Sequence, residues 1–245
     1  MTLLSIILAT FLITLCVWVA VLFMFFKKEV LDKVLVFLVS LSAGTLMGGA
    51  FLHLLPEASE MIEIDSVFGT FLISFIFFFL IEKVLHWRHC HESDCHVHTF
   101  GYMNLVGDSI HNLIDGLVIA SVFMVDIRLG IATTIAVAIH EIPQEIGDYG
   151  VLVYAGFKRK TALLLNYLVA FTVVIGGIVG YFLFSSLASF LPFLMPFAAG
   201  GFVYIAASDL MPEIKKETNL KKSIISFLIF ILGIVIMYLA KFLGH

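Results

Sequence analysis

His140-Glu141-Ile142-Pro143-Gln144-Glu145 puts one imidazole, two carboxylates and an amide in the middle of an apolar segment long enough to cross a bilayer. An ionisable side chain at the bilayer centre costs roughly 2.5–3.5 kcal/mol on insertion scales, so these groups must be buried against protein and put to use. A second cluster, His111-Asn112-Leu113-Ile114-Asp115-Gly116, lies 29 residues upstream in another apolar segment. Two polar clusters that cannot face lipid are expected to face each other, across a seam between two membrane helices.

Working outward, composition sets the class. Of 245 residues, 61% are hydrophobic and 13% charged, with mean hydropathy +1.10, far above a water-soluble domain. The chain reads as an all-α polytopic membrane protein. Apolar runs matched to a hydrocarbon core of about 30 Å predict eight transmembrane helices, at 3–26, 34–55, 67–86, 102–124, 129–156, 161–186, 190–211 and 223–243. The first is too long for a signal peptide and no Lys or Arg precedes it, so it reads as a retained helix. The connections leave no room for a sizeable soluble domain. No Walker motif is present, and nothing supports a nucleic acid partner.

Basic residues favour cytoplasmic loops. With the N-terminus outside, the inner loops hold Lys27, Lys28, Lys33, Lys83, Arg88, Lys158, Arg159, Lys160, Lys215, Lys216, Lys221 and Lys222, leaving Arg128 and Lys241 outside. That asymmetry predicts both termini extracytoplasmic, in a cell membrane, plasma or bacterial inner. The acidic connection with Glu57, Glu60, Glu63 and Asp65 is then external, and reads as a solvated acidic loop before it reads as one that attracts cations.

An internal repeat points to transport. Residues 43–57, AGTLMGGAFLHLLPE, align without a gap to residues 199–213, AGGFVYIAASDLMPE, with His53 on Asp209, Pro56 on Pro212 and Glu57 on Glu213. On the predicted topology the two copies run in opposite directions, giving a 3+2+3 inverted-repeat arrangement around a central helix pair. His53 and Asp209 become candidates for the outer and inner approaches, against a plain capping or interhelical role.

Helix geometry sharpens the central clusters. At about 100° per residue, Asn104, Asp108, His111, Asn112 and Asp115 fall within an arc of about 100° on the fourth span. His140, Glu141, Gln144, Glu145 and Asp148 spread over about 140° on the fifth, which suits two adjacent sites. His111 and Asp115, four residues apart, stack on one face and can chelate one ion, and His140 and Gln144 share that spacing. Imidazole with carboxylate suits zinc, iron or manganese. Pro143 frees the carbonyl of Ile139 and bends the helix beside these groups. Glycines 116, 147 and 150 permit close helix approach.

The connection at 87–100 adds a further concentration of donors. His86 to His98 holds five of the nine His and two of the three Cys. His89, Cys90, His91, Cys95, His96 and His98 are candidates for loose metal binding on the cytoplasmic side, where thiols stay reduced. Their spacing matches no compact zinc fold. Cys16, alone in the first span, reads as packing.

Together the HNxxDG pattern at 111–116, the HEIPQEIGD run at 140–148, the FLHLLPE and SDLMPE repeats, the eight spans and the His-rich connection resemble the ZIP family, the Zrt- and Irt-like divalent metal transporters. The fifth-helix motif is most similar to the branch that reads HEIPHE, with Gln144 in place of the second His. The resemblance implies two neighbouring metal positions between the fourth and fifth helices. His111, Asp115 and His140 carry over to the main one, Asn112 and Glu141 lie toward the second, and Gln144 stands where a bridging ligand would be. An amide oxygen is a weaker donor than imidazole, so softer selectivity and a weak second position are expected. Glu145 and Asp148 match the motif as second-layer or pathway residues, and Asp108 faces the same seam. The resemblance also implies movement of zinc, or of iron, manganese or cadmium, toward the cytoplasm by alternating access. Spans one, four, five and six would move against a scaffold of two, three, seven and eight, in a homodimer within the lipid bilayer. The metal is then the transported substrate, with no catalytic cofactor and no enzyme activity. Three rivals stand beside this reading: a metal exporter, a proton-coupled carrier of another substrate, and an intramembrane metallohydrolase. The last is disfavoured because HExxH needs His where Gln144 stands.

Overall fold

The computed structural model describes residues 2–89, 98–187 and 190–243, and these form eight helical segments. Helix α1 runs over Thr2–Thr14 and tightens into a 3₁₀ helix over Leu15–Phe25. Helix α2 runs over Lys28–Gly49 and, through a π turn at Ala50–Leu54, on into Leu55–Met61. Helices α3 (Ile64–His89), α4 (Thr99–Val125) and α5 (Ile127–Tyr154) follow. Helix α6 combines Arg159–Ala170 with Thr172–Leu187, and α7 combines Leu191–Tyr204, a π turn at Ile205–Leu210, and Met211–Lys215. Helix α8 spans Leu220–Leu243.

Among the described residues, seven of these segments are long and apolar enough to cross a membrane. Helix α5 falls outside that set. It carries His140, Glu141, Gln144, Glu145 and Asp148, whose polarity lowers its mean hydropathy although its 28 residues are ample for a span. The chain is an integral, multi-pass membrane protein.

Two prolines account for the π turns. A proline ring inside an α-helix collides with the carbonyl four residues back. Pro56 and Pro212 each follow a π turn directly, whose wider ring relieves that collision and lets the helix continue. Helix α2 therefore reaches Met61 instead of stopping at the proline.

Several hydroxyls in the bundle are satisfied within their own helix, where a bilayer offers no water. Thr10 donates to the Ile6 carbonyl at 2.8 Å, Ser40 to Val36 at 2.7 Å and Ser121 to Leu117 at 2.8 Å. Ser74 instead crosses to α7, where it donates to the Phe197 carbonyl.

Packing follows a paired scheme. Helix α2 lies on α8 and α7 on α3, while α4 packs on α6 and α5 on α1, with α2 also against α5 and α7 against α4. Glycine permits very close crossings: a Cβ on Gly116 would sit 2.1 Å from the Val173 carbonyl oxygen, and one on Gly176 would sit 2.1 Å from that of Leu113. Helices α4 and α6 thus touch backbone to backbone. The largest apolar core joins α2, α4 and α7 through Leu46, Met103, Ile114, Phe202 and Ile205. Helices α3 and α8 are the least covered, with 17% and 22% of their apolar windows buried, and present Phe, Leu and Ile outward. The arrangement wraps α4 and α5, with their polar faces, inside the other helices.

Candidate metal centre

His111 and Asp115 project from one face of α4, His140 and Glu141 from α5, and all four are buried. Nε2 of His111 lies 3.5 Å from Asp115 Oδ2 and 3.2 Å from Glu141 Oε1. Nε2 of His140 lies 3.1 Å from Asp115 Oδ2 and 3.4 Å from Glu141 Oε1. Each imidazole faces both carboxylates, and one ligand atom from each of the four residues falls within 4.8 Å of the others. A tetrahedral zinc with bonds of about 2.0–2.1 Å requires neighbouring donors about 3.3–3.4 Å apart, and the four imidazole–carboxylate distances lie close to that value.

The direction of these groups supports the same use. Both ring nitrogens of His111 and both carboxylate oxygens of Glu141 are buried without a hydrogen bond, despite their closeness. Buried polar atoms are normally paired. Of these atoms, His111 Nε2 lies 3.2 Å from Glu141 Oε1 and 3.5 Å from Asp115 Oδ2, a grouping that a bound cation would satisfy.

Beside this quartet runs a hydrogen-bonded string. Asp108 Oδ1 accepts from Asn112 Nδ2 at 2.9 Å and from Gln144 Nε2 at 3.1 Å. Gln144 therefore turns its amide N–H to Asp108. Asp148 Oδ1 accepts from Asn104 Nδ2 at 3.1 Å and from Ser42 Oγ at 3.2 Å. Glu145 Oε2 accepts from Asn166 Nδ2 at 2.6 Å. In each of these three carboxylates the second oxygen is buried without a hydrogen bond. Glu141 sits with the two imidazoles, while Asn112 and Gln144 sit with Asp108.

Asn166 and Ser42 were not singled out in the sequence. A lone amide in the apolar sixth span was the available signal for Asn166; Ser42, one small residue among many, carried none. Replacing Asn166 with leucine removes the donor to Glu145 and is expected to cost about 1–3 kcal/mol. Thermal unfolding of the purified protein checks this, against Ser109→Ala, whose hydroxyl only caps the Leu105 carbonyl one turn back.

The family profile for the ZIP zinc transporter matches residues 1–99 and 87–241, nearly the whole chain. The chain belongs to the ZIP zinc transporter family. ZIP proteins are transporters, not enzymes, and the metallohydrolase reading is set aside. The chain is 32% identical over 220 residues to zinc transporter ZIP13 of Pongo abelii, covering 82% of this chain and 65% of that protein. It is 31% identical over 219 residues to zinc transporter YKE4 of Saccharomyces cerevisiae, covering 77% and 63%. This ZIP chain thus spans just under two thirds of the length of these relatives.

Two flanking groups adjoin the ZIP centre. The His53 ring lies 5.4 Å from that of His140, and its Nδ1 is 3.6 Å from Glu57 Oε1. A graded series of donors therefore leads from a partly exposed pair to the buried quartet. On α7, Asp209 is buried with Oδ2 unpaired, one helical turn before Glu213, which accepts from Tyr154 at 3.2 Å. Glu82 accepts from Tyr204 nearby. In the His-rich connection, Cys90, His91, Cys95 and His96 lie outside the described residues, as does the side chain of His89. His98 is exposed and stacks on Phe100 at 5.5 Å.

Proposed function

We propose that this ZIP chain carries zinc across a cell membrane toward the cytoplasm, by alternating access to the quartet His111, Asp115, His140 and Glu141. The observation that carries the reading is the convergence of four buried donors at zinc-ligand spacing. Two carboxylates offset the charge of a divalent ion as it trades water for side chains, and a neutral imidazole pair biases the site toward borderline metals over magnesium or calcium. Iron, manganese and cadmium are expected as weaker competitors. The relatives' names, both zinc transporters, support zinc as the cargo.

The frame is an inverted repeat of three helices, a central pair and three helices. Supporting it, the π turns at Ala50–Leu54 and Ile205–Leu210 occupy aligned positions, each just before an aligned proline. The packing of α2 on α8 and of α7 on α3 follows the same exchange. Both termini lie outside, with His53 on the outer approach and Asp209 on the inner one. The lipid-facing α3 and α8 belong to the scaffold and its homodimer contact. The motif is of the HEIPHE type, altered at Gln144. Because Gln144 and Asn112 both donate to Asp108, they satisfy with amides a place where a second ion would bind. Any second occupancy is weak.

The test is zinc uptake into proteoliposomes of known protein orientation, with cadmium, iron and manganese competing. Saturable inward flux is expected for the unchanged chain. Gln144→His is expected to raise bound zinc from one toward two ions per chain and to change the competition order. Flux only outward, or none, would overturn the reading.

A further inference from the structure

A cleft of about 200 Å³ opens between the end of α7 and the start of α8, away from the seam, lined by Met211, Ile214, Lys215, Ser223, Phe227 and Phe230. Four of these residues are apolar, and Phe227 is 60% exposed, so the cleft opens outward on the side the bilayer surrounds. Lys215 lines it, and three further lysines lie close by in the chain. Lys215, Lys216, Lys221 and Lys222 fall within eight residues. Lys216 pairs with Glu213 at 2.5 Å and Lys222 with Glu217 at 3.5 Å, whereas among the described residues Lys215 and Lys221 make no ion pair. The cleft also takes in the first turn of α8, where Ser223 lies and the helix dipole is positive.

We infer that this cleft binds an anionic phospholipid, its acyl chain against Met211, Ile214, Phe227 and Phe230 and its phosphate at Lys215 and Ser223, with Lys221 adding charge. The occupant follows from having both parts together. A soluble anion would leave the apolar walls unused, and a zwitterionic lipid would leave the excess positive charge uncompensated. Basic clusters at the end of a membrane helix are attracted to anionic headgroups, each Lys or Arg near the surface adding to the attraction. On the orientation proposed above, this end meets the cytoplasmic leaflet, where anionic lipid resides. Met211 and Ile214 flank Glu213, the acceptor for Tyr154, so a lipid seated here braces the helix end that borders the inner approach.

Native mass spectrometry of the purified, delipidated full chain tests this, with phosphatidylserine and phosphatidylcholine of matched acyl chains offered together. Phosphatidylserine adducts are expected to dominate, and K215Q combined with K221Q is expected to weaken their retention by roughly thirtyfold while leaving phosphatidylcholine unchanged. Ser223→Trp, which fills the cleft and keeps every lysine, is expected to lose the adduct as well. Equal retention of the two lipids, no effect of either variant, or equal competition by chain-free glycerophosphoserine would overturn the proposal. Lipid retention in detergent involves neither zinc nor orientation, so a failure of the transport reading leaves this result to be judged separately.

Discussion

His140→Ala is expected to bring zinc uptake to background and to weaken zinc binding by about a hundredfold or more, beyond what loss of a supporting residue around a metal costs. The imidazole supplies one of four donors, 3.1 Å from Asp115 and 3.4 Å from Glu141. Without it those two carboxylates face each other in a buried site with one imidazole remaining, and the ion is left short of a ligand that no water reaches easily. Titration calorimetry on the purified protein reads the affinity, and proteoliposome flux reads transport. His53→Ala is the informative comparison. Its ring is near His140 but outside the quartet, so flux is expected to fall severalfold with binding at the centre nearly unchanged. Zinc affinity unaffected by His140→Ala would remove the quartet from the mechanism.

Gly116→Ala is expected to destabilise the protein by about 1–3 kcal/mol, and Gly116→Leu by more, because the added Cβ meets backbone and not a movable side chain. The obstructing atoms are the Val173 carbonyl oxygen at 2.1 Å and the Gly177 nitrogen at 2.6 Å. Either α4 or α6 must shift, and Asp115 is the adjoining residue, so zinc affinity should fall along with thermal stability. Gly176→Ala strains the same crossing from the other helix, and the double variant should cost less than the sum of the two. Gly69→Ala controls for general effects, since its Cβ would meet nothing within 4 Å. A Gly116→Ala protein of unchanged melting temperature and affinity would show that the helices are free to part there.

Much of the site was legible from depth and periodicity. His111 and Asp115 had to share a face because they are four residues apart on a helix, and His140 had to meet them because neither cluster tolerates lipid. The π turns before Pro56 and Pro212 were not anticipated, since the one bend expected from the sequence was at Pro143. Glu141 is different. It stands about 100° around α5 from His140, and the family resemblance set it toward a second position, yet its carboxylate reaches Nε2 of both imidazoles. Gln144 shares the His140 face and still turns to Asp108. Side-chain torsions and the rotation of one helix against the next decide such choices, and neither is written in spacing.

From its amino acids alone, then, this protein was determined to be a membrane-embedded helical bundle with two polar clusters set at matching depth. The energy of placing ionisable groups in hydrocarbon admits no looser arrangement. Tertiary structure alone decided which donors gather at the candidate metal centre, which pair among themselves, and that Asn166 and Ser42 from other helices bond to Glu145 and Asp148. These contacts join residues far apart in the chain, and their partners are selected by interhelical packing at distances of about an ångström, below anything helical periodicity resolves.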